Sequence, residues 1–77
     1  MKPAQLTQTI SDTLVELRKS ERKVAEFVLK EPLGVIRMRI VDLAQQAGVS
    51  EPTVVRFCRA VGCHGFQDFK LALAQQL

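Results

Sequence analysis

The sequence predicts an all-α fold: a compact bundle of about five helices containing a helix-turn-helix of homeodomain-like type. Three observations point there. Apolar residues recur at helical spacing along the whole chain, no useful stretch alternates as a half-buried strand would, and one short glycine turn joins two of the helical patterns. Seventy-seven residues, 47% hydrophobic and 25% charged, suffice for one small core and not for two. Residues 1–77 are therefore read as a single domain.

The first helix is expected from about Ala4 to Leu17, with Pro3 near its first turn and Leu6, Ile10, Leu14 and Leu17 on one face. Ser20 is the expected N-cap of the second, although Lys23 stands where a capping box would place Glu. Val24, Phe27 and Val28 form its apolar stripe, and Pro32 and Gly34 end it. Residues 32–38 read as a connector that could hold one helical turn. Ile40, Leu43, Ala44 and Ala47 share a face of the next helix, which closes at Gly48-Val49-Ser50. Ser50 then caps a helix with Pro52 in its first turn, running to Val61 and stopping at Gly62. A last helix starts near Phe66 and turns Phe66, Phe69 and Leu73 inward. Its pattern continues to Leu77 with no C-cap signal, so a fragment of a longer protein is expected.

Charge and composition exclude several classes of function. Net charge is +3 and the pI near 9.2, compatible with a polyanionic partner. The excess is concentrated in the middle, where Arg37, Arg39, Arg56 and Arg59 face only Asp42 and Glu51. The amino-terminal stretch has neither a secretory signal nor a transit-peptide bias, and no apolar run could span a bilayer, so a cytoplasmic chain is expected. Cys58, Cys63 and His64 lack the spacing of a structural zinc site, and no metal or cofactor is expected. Catalysis is not expected either. No phosphate-binding glycine loop exists, and the adjacent Cys63 and His64 diverge with no third group to orient a base.

The stretch from Ile40 to Val61 carries the functional reading. Helices joined by so short a turn pack steeply only if small residues meet at the corner and the turn residue can adopt a left-handed conformation. Ala44 and Gly48 answer both demands. Val49 plugs the corner, while Leu43, Ala47, Val54 and Phe57 supply the apolar contacts. This is the spacing of a helix-turn-helix that reads duplex DNA, with residues 51–61 as recognition helix. At about 100° per residue, Val54, Phe57, Cys58 and Val61 lie on one side and Pro52, Val55, Arg56 and Arg59 on the other. Arginine offers two hydrogen bonds to guanine O6 and N7, and an aliphatic side chain can touch a thymine methyl. Arg56 is thus the first candidate for base contact and Val55 the second. Ser50, Glu51 and Thr53 lie within reach of phosphate or a base edge, with Arg59 further along placed for phosphate. Thr53 could instead only complete the cap, and outward arginines are commonly just solvated. Arg37 and Arg39 could clamp the DNA backbone or pair with Glu31 or Asp42. Lys70 could reach a phosphate or sit in solvent.

The run from Ile40 to Lys70, IVDLAQQAGVSEPTVVRFCRAVGCHGFQDFK, resembles the amino-terminal domain of the RpiR family of bacterial transcription regulators. That family's pattern is LA-x-x-AGVS-x-x-TVVRFC-x-x-x-G followed by G-F-x-x-F-K, and L-x-x-SERKVAEFVL upstream is like its second helix. The resemblance implies operator reading in double-stranded DNA and repression of sugar, specifically glucose, catabolism genes. It also implies a homodimer, and a phosphosugar effector bound by a carboxy-terminal sugar-isomerase-type domain absent from this chain. Three positions depart from the family's pattern: Cys63 for an aromatic or larger apolar residue, His64 for a lysine or small polar one, and Arg39 for a capping Ser or Thr. The rival reading is a helical protein-interaction module, with Val55, Arg56 and Arg59 meeting an acidic groove and Leu71 and Leu77 a partner helix. Surplus apolar residues of the last helix, Leu71, Ala72, Ala74 and Leu77, could serve a dimer interface or the core.

Overall fold

A computed structural model describes residues 6–77. The described residues form six α-helices and one 3-10 turn: α1 (Leu6–Thr13), the 3-10 turn (Leu14–Glu16), α2 (Lys19–Lys30), α3 (Pro32–Ile36), α4 (Ile40–Ala47), α5 (Glu51–Ala60) and α6 (Phe66–Gln76). The all-helical expectation holds. The expected start of the first helix near Ala4, with Pro3 in its first turn, lies outside the described residues.

Two boundaries differ from expectation. The first helix was expected to run unbroken to Leu17, but the Thr13 hydroxyl donates to the Thr9 carbonyl at 2.7 Å. Such back-bonding competes with the helical ladder. The chain then tightens into the 3-10 turn, and Leu17 is extended yet still buried. Ser20 does not cap α2. The helix begins two residues earlier, with Arg18 as the cap residue, and the Glu21 carboxylate accepts the Arg18 backbone N–H at 3.3 Å. This is the reach-back half of a capping box, supplied by an acid at N3. The expected connector contains a short helix of its own, α3, opened by Pro32 at its first position.

The core is continuous. Ile10, Val24, Val28, Val35, Leu43, Val54, Phe57, Cys58, Phe69 and Leu73 are fully enclosed, and Phe57 meets Phe69 edge-on with ring centroids 5.4 Å apart. α2 packs on both α4 and α5, and so backs the helical corner, while α6 closes the other side against α3 and α1. Gln76 ties the last helix to the first, accepting from the Thr7 N–H at 3.0 Å and donating to its hydroxyl at 3.1 Å. Of the surplus apolar residues on α6, Ala72 packs against the core, whereas Leu71 and Leu77 are exposed.

Candidate nucleic-acid interface

The corner between α4 and α5 is set by backbone hydrogen bonds. Gly48 has φ 74° and ψ 38°, a left-handed conformation that costs a side chain on the order of 1 kcal/mol or more. That conformation lets Val49 N–H donate to the Ala44 carbonyl at 2.9 Å and Gly48 N–H to the Gln45 carbonyl at 3.2 Å, the paired bonds of a Schellman end. α5 ends the same way at Gly62, φ 94°, where Cys63 N–H donates to the Cys58 carbonyl at 2.9 Å. Cys58 and Cys63 therefore occupy the two positions that pack together in this motif. Burial pushes both thiols up, Cys58 to about 12, so both are protonated near neutral pH.

Ser50 starts α5 as expected, its hydroxyl accepting from the Thr53 N–H at 3.4 Å. Pro52 stands in the first turn, and Val54, Phe57, Cys58 and Val61 are buried beneath it. Glu51, Pro52, Arg56 and Arg59 are exposed, with Val55 half-buried. The exposed face of the recognition helix therefore carries two guanidiniums. Its acid, Glu51, sits in the first turn, where a carboxylate is favoured by the helix dipole.

Several candidates are engaged within the protein. Thr53 is 4% exposed, its hydroxyl 3.0 Å from that of Ser50 and accepting from Nη2 of Arg56 at 3.1 Å. It completes the cap and supports Arg56 rather than facing outward. Nε of Arg56 lies 3.7 Å from a carboxylate oxygen of Glu21 on α2, while half of the Arg56 side chain remains exposed. Lys70 is half-buried: Nζ donates to the Met38 carbonyl at 2.8 Å and sits 4.9 Å from the centre of the Phe66 ring. The ammonium thus ties α6 to the α3–α4 connection. Arg59 and Arg37 are exposed, and among the described residues their side chains form no ion pair or hydrogen bond.

Arg39 pairs with Asp42 and not with Glu31. Its Nε and Nη2 donate to the two Asp42 oxygens at 3.2 and 3.3 Å, and its backbone N–H donates to the same carboxylate at 3.0 Å. An N3 acid reaching back thus replaces the expected Ser or Thr cap, which accounts for an arginine at that position. Its hydrogen bonds from the Arg39 side chain and backbone hold the Asp42 carboxyl below the usual range. A depressed folded-state value means stabilisation present above about pH 3.9 and lost as pH falls through the depressed value. In an NMR titration the Asp42 carboxyl should therefore titrate below about 3.9, and the amide of Arg39 should lose its protection in step with it.

Sequence reasoning missed Glu21. It lies at helical spacing with Val24, Ala25 and Val28 on the face of α2 that the core covers, and an acid on an apolar stripe was the available signal.

A small-residue corner, a capped second helix and exposed arginines on that helix's outer face define a helix-turn-helix domain of the kind that binds duplex DNA. The family model for the helix-turn-helix domain of the rpiR family matches residues 4–77, and the chain belongs to that family. It is 51% identical over 72 residues to the HTH-type transcriptional regulator HexR of Pseudomonas aeruginosa and, over the same length, to HexR of Escherichia coli. The match spans 94% of this chain and 25% of each HexR. It is also 52% identical over 61 residues to the bifunctional protein glk of Paraburkholderia xenovorans, covering 79% of this chain and 10% of that one. Among solved structures, the Vibrio vulnificus NanR protein complexed with ManNAc-6P superposes with a TM-score of 0.89 at 37% identity, over 92% of this chain and 27% of that one. The N-terminal domain of ybbH from Bacillus subtilis superposes at 0.87 and 30% identity, over 94% and 88%. The chain is a DNA-binding regulatory domain. Among the described residues, no helix is long and apolar enough to cross a membrane.

Proposed function

We propose that this domain reads the operator of a bacterial repressor of sugar, specifically glucose, catabolism genes, with α5 in the major groove. The observation that carries the reading is the outer face of α5. Glu51, Pro52, Val55, Arg56 and Arg59 line it on a helix whose other side is anchored by Val54, Phe57 and Cys58. Arg56 and Val55 meet base edges, Arg59 and the exposed Arg39 meet phosphates, and the hydroxyl of Ser50 lies at the helix start. A single helix-turn-helix reads a half-site, so the working form is a homodimer. The effector is a phosphosugar acting through a carboxy-terminal sugar-isomerase-type domain outside this chain. The sugar assignment draws support from the HexR likeness and from a NanR neighbour solved with ManNAc-6P.

Selection of binders from a random-sequence duplex pool, followed by titration of the winner across a salt series, tests this. The expected result is an inverted repeat with half-sites one helical turn or a multiple apart. Affinity should fall linearly on a log-log plot against salt, with a slope of about −0.9 per phosphate neutralised. Absence of enrichment together with a flat salt response would move the assignment to a helical protein-interaction module.

A further inference from the structure

Glu21 is the one charged residue buried among the described residues, at 7% exposure. A carboxylate there is costly unless it is partnered. Its two oxygens face different elements: Oε1 accepts the Arg18 N–H at 3.3 Å, and Oε2 lies 3.7 Å from Nε of Arg56. Nη2 of the same guanidinium donates to Thr53 at 3.1 Å, and Thr53 is in turn 3.0 Å from the capping hydroxyl of Ser50. In an arginine, Nε–H and one hydrogen of Nη2 point along one edge of the plane, while the outer hydrogens of Nη1 and Nη2 form a second fork. The first edge is the one turned to Glu21 and Thr53. Among the described residues Nη1 takes part in no hydrogen bond or ion pair, and the fork it forms with the outer hydrogen of Nη2 matches guanine O6 and N7.

We infer that Glu21 is a positioning residue for base reading: α2's carboxylate and the cap hydroxyls hold Arg56 by one edge, so that its other edge enters the groove already oriented. This rests on the DNA-reading function proposed above. Its advantage is preorganisation, because a long side chain already held in its binding geometry has less freedom to lose on binding. The specificity of α5 then depends on a residue 35 positions away in sequence, on a different helix.

The test compares wild type with Glu21→Gln, which keeps shape and drops charge, and with Glu21→Ala, each first shown to melt cooperatively. The probes are the duplex selected by wild type, its single-base-pair variants and a scrambled duplex. For Glu21→Gln, affinity for the selected duplex should fall about two- to tenfold, the worth of ordering one long side chain. Preference should flatten at the base pair that Arg56→Ala also flattens, while binding to the scrambled duplex is not weakened. Unchanged preference, or equal weakening on every duplex, overturns the inference. A second readout needs no DNA: the Nε–H resonance of Arg56 should be ordered and slow to exchange in wild type and lose both properties in Glu21→Gln. Insensitivity of that resonance overturns the clamp alone. Failure of wild type to enrich any sequence overturns the DNA reading, and the positioning role with it.

Discussion

Phe57→Ala is expected to remove a large share of the domain's stability. Phe57 is fully enclosed on the inner side of α5, edge-on to Phe69 of α6, in the helix that also packs on α2 and α4. Its removal therefore opens a cavity where several elements meet, and Phe→Ala changes in cores cost about 3–5 kcal/mol. A domain of 77 residues has roughly 4–12 kcal/mol in total. For this size the loss corresponds to a fall in Tm of roughly 12–40 °C, readable by circular dichroism at 222 nm. Leu71→Ala serves as the contrast, because Leu71 is exposed on α6 and its truncation should stay within about 0.5 kcal/mol. A shift for Phe57→Ala no larger than for Leu71→Ala would show that the α5–α6 contact does not hold the recognition helix in place.

What the sequence disclosed and what it concealed divide by range. The α4–α5 corner was legible because its determinants are local: Gly48 four residues after Ala44, Ser50 at the cap, Pro52 in the first turn, and an apolar set repeating at helical spacing. Each acts through bonds that span at most a turn or so, so residue order alone reports them. Arg39 was half legible, since spacing allowed Glu31 or Asp42 as partner and left the cap unexplained. Only the structure shows the carboxylate of Asp42 receiving both the side chain and the backbone N–H of Arg39. The tie of Lys70 to Met38 and the hold of Glu21 on Arg56 were not legible, because each joins segments far apart in sequence. A helical wheel puts Lys70 and Arg56 on faces that solvent can reach. It cannot show that a carbonyl, a ring or a carboxylate from another helix has been brought there. Thr53 was ambiguous for a related reason, its hydroxyl being short enough to turn back into the cap that its own backbone helps to build.

Arg56→Ala is expected to weaken binding of the selected duplex by about 1–3 kcal/mol, roughly five- to 150-fold, and to flatten preference at one base pair. The same change removes a partner from the buried Glu21 carboxylate, and an orphaned buried charge destabilises the fold. A fall in affinity alone would therefore not separate lost reading from lost folding. Combining Arg56→Ala with Glu21→Gln does separate them. The second substitution removes the orphaned charge, so thermal stability should recover in the double variant while the base preference stays flat. Arg56→Lys completes the set: it keeps the positive charge and the attraction to phosphate, but an ammonium cannot present two parallel N–H groups to guanine. Its salt slope should match wild type, with base preference flattened nearly as far as in Arg56→Ala. If Arg56→Lys instead retained wild-type preference, the arginine would be acting through charge alone, and base selection would have to come from Val55 and the first turn of α5.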